Sequence, residues 1–211
     1  MSNYTFPFLL AGSFMTVLFL FSVNLATTPG EWWFLFPTVV VLLLPFFFHS
    51  RQKGYYPIYT WTASLTIMIY LFVENMTTSP HHPWFLYVSY VFVLWILSAH
   101  FERHLKKLSF ACLISLLTIG YYTLLNVVIS PHFPWAIFPA FVILWWPLAL
   151  YCSQQNRFFL FSVLATILTA LFFILLNAVT TPETIWAIYP IFAMLWWPLS
   201  MYFYSYKVIK L

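Results

Sequence analysis

One asparagine returns along this chain at a fixed interval: Asn24, Asn75, Asn126 and Asn177 are each 51 residues apart. Pro29, Pro80, Pro131 and Pro182 keep the same interval, and so do Trp33, Trp84, Trp135 and Trp186. Three residue types held in register over four copies, without an insertion, read as tandem copies of one unit. The copies run over about 1–54, 55–105, 106–156 and 157–211. They leave no stretch for a further domain, so 1–211 reads as a single membrane domain.

Each copy holds two apolar runs. The first ends near the Asn, a short Thr/Ser/Pro loop follows, and the second begins at the Trp. With 64% hydrophobic and 6% charged residues, the chain has too little polar surface to cover a soluble core. At about 1.5 Å per helical residue, each run matches the roughly 30 Å hydrocarbon layer of a bilayer. The runs are unbroken, not alternating in polarity, which excludes a membrane barrel and leaves helices to satisfy the backbone in lipid. The fold expected is all-α and integral to the membrane. Eight spans are expected, at about 6–25, 33–50, 57–76, 84–101, 108–127, 135–152, 158–178 and 186–204. They form four tandem hairpins, all pointing the same way as parallel repeats.

Basic residues set the orientation. Arg51, Lys53, Arg103, Lys106, Lys107, Arg157, Lys207 and Lys210 all fall between copies or at the C-terminus, and none falls in a loop within a copy. The positive-inside rule then places both termini in the cytoplasm of a multi-pass cell-membrane protein. The net charge of +4 is a topology signal and an attraction to the lipid bilayer's anionic headgroups, not a nucleic-acid footprint. The first apolar run lacks a basic leader and a cleavage site, and it matches the first runs of the other copies. It therefore reads as a permanent span. Cys112 and Cys152 have no CxxC partner and read as packing residues.

The unit also resembles the bacterial two-transmembrane-helix (2TM) domain. The residues that carry the likeness are Asn24, Trp32, Trp33, Pro37 and His49 in the first copy, and Asn75, Trp84 and His100 in the second. The third and fourth copies keep Asn, Trp and Pro but carry Tyr151 and Tyr202 in place of His, and the family's Gly-rich second helix is missing. The resemblance implies a helical hairpin of the bacterial inner membrane, alone or attached to signalling proteins, with no known reaction.

Candidate site residues are few. The four Asn side chains stand at helix ends, where carbonyls lack intrahelical partners, and can serve as packing glue or as a ring of amides around a ligand. Pro45, Pro147 and Pro198 fall deep in second helices, so the carbonyls of Val41, Ile143 and Met194 must find other partners. The second copy departs from the others. It has Val88 and Ile96 where both prolines would stand, and it alone has an acid, Glu74, beside its Asn. A carboxyl at a membrane boundary is costly unless paired, which makes Glu74 a candidate. His81 and His82 in the same outer loop, with Trp84 as an aromatic wall and Asn126 and Asn177 closing a ring, complete the expected ligand-binding set with Glu74 and Asn75. These His residues, with His132, have no metal-ligand spacing, and His49 and His100 sit among boundary charges, so neither metal nor haem nor any other cofactor is expected.

The chain has no Asp, only four Glu and four Gly, and no HExxH, GxSxG or phosphate loop. An enzyme is not expected. Two functions stay open. The first is a non-catalytic accessory, sensory or immunity-type module acting through helix contacts with a membrane-protein partner or lipid. The second is a transporter or binder of a small neutral or lipophilic ligand in an aromatic cavity between kinked helices.

Overall fold

A computed structural model describes residues 4–206. Among them are eight α-helices and no strand: α1 (Thr5–Thr27), α2 (Leu35–Lys53), α3 (Tyr56–Thr78), α4 (Phe85–His100), α5 (Leu108–Ile129), α6 (Ile137–Gln154), α7 (Phe158–Thr180) and α8 (Ile188–Met201). A 3-10 turn, Glu102–His104, precedes α5, and a π-helical turn, Tyr202–Tyr206, follows α8. Lys207 and Lys210, which contribute to the expected orientation, lie outside the described residues.

Consecutive helices pack as hairpins, α1 on α2, α3 on α4, α5 on α6 and α7 on α8. First helices run past the Asn by three residues, ending at Thr27, Thr78, Ile129 and Thr180. Trp33 and Trp84 precede the second helices and do not open them. The sequence reading ended the first helices about two residues early because the Asn looks like a terminator. It lies instead inside the last turn, with its side chain folded onto the loop.

The chain divides into two compact units, one ending at Phe101 and the other starting at Glu102. The turns between hairpins account for the division. Within the first unit, α2 closes on Gly54, whose φ of 79° is left-handed, and the Tyr55 N–H returns to the Ser50 carbonyl at 3.0 Å. This is the six-to-one closure that ends many helices, and only a residue tolerant of positive φ fits it. Within the second unit Asn156 takes the same role at φ 52°, with the Arg157 N–H bonding the Cys152 carbonyl at 2.9 Å. Both turns fold the chain sharply back, so α2 packs on α3 and α6 packs on α7. No left-handed residue follows α4. Its chain leaves through Phe101 into the 3-10 turn, which is where the units part.

Among the described residues, six helices are long and apolar enough to cross a membrane: α1, α2, α3, α5, α6 and α7. The other two are shorter than the sequence suggests, with 16 residues in α4 and 14 in α8. In α4 the charged sequence Glu102-Arg103-His104 takes over just after His100 and shifts the backbone to a 3-10 turn. In α8 the chain passes into the π-helical turn after Met201.

Small and polar residues line the packed sides of the first helices. Ala63, Ala111, Ala165, Thr60, Ser64 and Ser162 are fully buried, which lets neighbouring backbones approach closely. Large apolar residues such as Phe14, Leu18, Leu116, Leu124 and Val128 face outward instead. Outside lipid this surface would be an aggregation liability; in lipid it is the ordinary exterior.

Candidate functional site

The recurring asparagines build the loops. The Asn75 amide donates to the Ser79 carbonyl at 2.7 Å and to the His82 carbonyl at 2.9 Å, and its oxygen accepts the Phe85 N–H at 3.2 Å. Asn126 makes the same three bonds, to Ser130, Phe133 and Ala136, at 2.7, 2.8 and 3.0 Å. Asn177 repeats them with Thr181, Thr184 and Ala187 at 2.8, 2.8 and 3.0 Å. In the first hairpin the Asn24 amide donates to the Thr28 and Glu31 carbonyls, both at 2.7 Å. An Asn side chain has two N–H donors, and here both are taken by its own loop. Each Asn is buried, and each backbone carbonyl also closes the helix, accepting the N–H of Thr28, Ser79, Ser130 or Thr181. The tryptophans finish the knot in two hairpins, where Trp33 and Trp186 donate their indole N–H to Thr28 Oγ1 and Thr181 Oγ1 at 2.8 and 2.7 Å.

The expected ligand-binding residues fall in these loops. Asn75, His82 and Trp84 come together in one, where the Trp84 backbone N–H also bonds the His82 carbonyl at 2.8 Å. Glu74 stands beside them half-buried, at the end of α3, and its backbone carbonyl accepts the hydroxyls of Thr77 and Thr78. His81 and His82 are exposed, and the His82 ring lies 3.3 Å from the Tyr87 hydroxyl through Nε2. Asn126 and Asn177 sit in two separate loops of the second unit, each committed to its own turn. At the opposite hairpin end, His100 accepts the Trp61 indole N–H at Nε2 (3.2 Å) and donates from Nδ1 to the Ile96 carbonyl (3.0 Å), a pair of bonds that fixes the Nδ1–H tautomer. His49 packs at a tilt against Phe6, ring centroids 4.6 Å apart and planes at 44°. Among the described residues no three His, Cys, Asp or Glu side chains gather as a metal site would require.

Two of the three freed proline carbonyls have partners that sequence reasoning missed. Ser115 Oγ on α5 donates to the Ile143 carbonyl at 3.3 Å, and Thr166 Oγ1 on α7, which donates to the Ser162 carbonyl of its own helix at 2.8 Å, shares that hydrogen with the Met194 carbonyl at 3.3 Å. Those are the two carbonyls orphaned by Pro147 and Pro198. Each is served by a buried hydroxyl from the other helix of its hairpin. The signal was in the sequence: Ser13, Ser64, Ser115 and Thr166 keep the 51-residue interval. Ser64 belongs to the hairpin whose proline position is Ile96. It is fully buried, and its Oγ has no partner.

No family model, curated protein or solved structure compared with the chain matches it. The site must therefore be read from its own chemistry. Amides closed on their loops, hydroxyls closed on proline-freed carbonyls, and indoles closed on threonines shape helical hairpins.

Proposed function

We propose that the chain is an eight-span, non-catalytic protein of the bacterial inner membrane, built as four like hairpins of the 2TM type. In this reading it acts as an accessory, sensory or immunity-type module through helix contacts with a membrane-protein partner or with lipid. One observation supports the reading best. Polar groups that recur along the chain are consumed inside the hairpins, while large apolar side chains face outward. A surface of that kind recognises other helices and acyl chains by shape, where packing and small polar contacts supply the attraction. The basic residues at the α2–α3, α4–α5 and α6–α7 turns support a cytoplasmic side for those turns under the positive-inside rule.

A labelling experiment tests span and side together. A cysteine placed at Thr184 should react with an impermeant maleimide on intact cells, and one at Gln155 should react only after permeabilisation. Reversed labelling overturns the orientation, and equal labelling overturns the spans. For function, a partner that stays bound through detergent extraction supports the module.

A second reading, a binder or transporter of a small lipophilic molecule, is favoured by one feature. A cleft of about 350 Å³ lies between α6 and α7 at Pro147, walled by Leu144, Leu148, Leu164, Ile167 and Leu171. Its walls are aliphatic, not aromatic, which suits a hydrocarbon chain better than a planar ring. A saturable, ligand-dependent rise in melting temperature, without any partner, would select this reading.

A further inference from the structure

The α2–α3 and α6–α7 turns close on the same backbone, at Gly54 and at Asn156. What fills them differs. In the first unit the Arg51 guanidinium lies 3.7 Å from the centre of the Tyr56 ring and 5.7 Å from that of Phe47, a cation seated on aromatic faces. Phe47 packs edge-on against Tyr56 and Tyr59, with centroids 5.9 and 6.0 Å apart, and Trp95 packs edge-on against Tyr59 at 5.9 Å. Four rings and one guanidinium form a single cluster at this turn.

Two repeats later the same positions read Ala149 for Phe47, Ser153 for Arg51, Phe158 for Tyr56, Phe161 for Tyr59 and Trp197 for Trp95. The aromatic floor survives, with Phe161 held edge-on by Trp145 at 6.2 Å and by Trp197 at 5.6 Å. The guanidinium and the Phe47 ring have no counterpart. A cleft of about 180 Å³ opens here, lined by Ala149, Cys152, Ser153, Phe158 and Phe161. Its border thus joins the two truncated positions to the two rings that remain. Phe158, which matches the ring under Arg51, is 56% exposed and can be covered by a solute.

The lining favours one kind of solute. It offers ring faces, one hydroxyl and one thiol, and neither an acid nor a base. Ring faces attract cations and repel anions through their quadrupole. A strongly hydrated inorganic ion gains too little from them to leave water, whereas a flat, weakly hydrated guanidinium stacks readily. Arg157, the one cation of this turn, takes the position of Tyr55 and does not line the cleft. We propose that the cleft binds a small organic cation of the guanidinium class, laid on Phe158 as Arg51 is laid on Tyr56. The site needs neither a partner nor a particular side of the membrane, so it goes beyond both readings above.

The test uses the full chain purified in a neutral detergent, with methylguanidinium as probe and N-methylurea as its uncharged match at equal ionic strength. Saturation-transfer NMR reads the methyl signal of each. Wild type should bind methylguanidinium about tenfold more tightly than N-methylurea, the order expected for a cation partly desolvated on an aromatic face. Ala149→Phe with Ser153→Arg rebuilds the self-occupied seat of the first unit and should abolish that difference. The α2–α3 turn already folds with Phe47 and Arg51 at those positions. Should the double variant still fail to fold, Phe158→Leu removes the ring face at an exposed position and should bring methylguanidinium down to the N-methylurea level. Arg157→Gln removes the neighbouring like charge and should tighten methylguanidinium. Equal binding of the two probes in wild type would overturn the site. So would an undiminished preference in the double variant or in Phe158→Leu, or weaker binding in Arg157→Gln. Failure here leaves the labelling and partner tests standing, and their failure leaves this result standing.

Discussion

The α3–α4 and α5–α6 hairpins have the same loop and different interiors. Asn75 and Asn126 tie their loops with matching bonds. One turn pattern therefore serves both, whatever the second helix contains. Inside, α6 contains Pro147, and Ser115 reaches across from α5 to the carbonyl that the proline leaves open. In α4, Ile96 keeps its N–H and the helix needs no help, yet Ser64 remains buried opposite it without a partner. Between these two hairpins, the hydroxyl bonds across only where the proline stands. When the proline is replaced, the hydroxyl loses its acceptor and becomes a cost.

The largest test concerns what the hairpins have in common. Asn75→Ala and Asn126→Ala each strand a buried set of loop carbonyls and one N–H, and each should lower stability by about 2–3 kcal/mol. Equilibrium unfolding in detergent measures both. A large loss in one and none in the other would break the claim of a common loop. A smaller effect separates the interiors. Proline inside a helix costs about 3 kcal/mol or more, but Ile96→Pro should cost less, because Ser64 is already placed to take the freed Phe92 carbonyl. In a Ser64→Ala background the same substitution should cost about 1 kcal/mol more, and the double-mutant cycle should show that coupling. Additive effects would break the pairing. The smallest test is the hydroxyl alone. Ser115→Ala should destabilise by about 1 kcal/mol, and Ser64→Ala should be neutral or slightly stabilising, since it removes a buried polar group that bonds nothing. Equal losses at the two serines would show that their surroundings do not differ.

Much of this arrangement can be read from the amino-acid order. The 51-residue interval locates every hairpin, and the apolar runs place the helices to within a few residues. The interval could not say which way an Asn side chain turns. An amide at a helix end can face a neighbouring hairpin or its own loop, and only backbone geometry places the Ser79 and His82 carbonyls where Asn75 reaches both. Ser115 and Thr166 stayed hidden for a different reason. Ser and Thr are common in membrane helices and often bond the preceding turn, as Thr118 does to Ile114 at 2.7 Å, so a single hydroxyl there signals little. The bounds of α4 were legible to one residue at each end, 84–101 expected against Phe85–His100. Among the site candidates, Asn75, His82 and Trp84 do meet in one loop, as their nearness in sequence requires, and Asn126 and Asn177 keep to loops of their own.

The Asn knot also bears on how such a chain comes off the ribosome. From Asn75 to Phe85 it spans ten residues and calls on no other hairpin. A turn of that reach can close as soon as its two helices have been made, while the next pair is still being synthesised. Contacts this local form fast, because little loop entropy opposes them. Each newly delivered pair then meets its neighbour with loop polar groups already satisfied. The late steps of assembly are left to helix faces sliding into register.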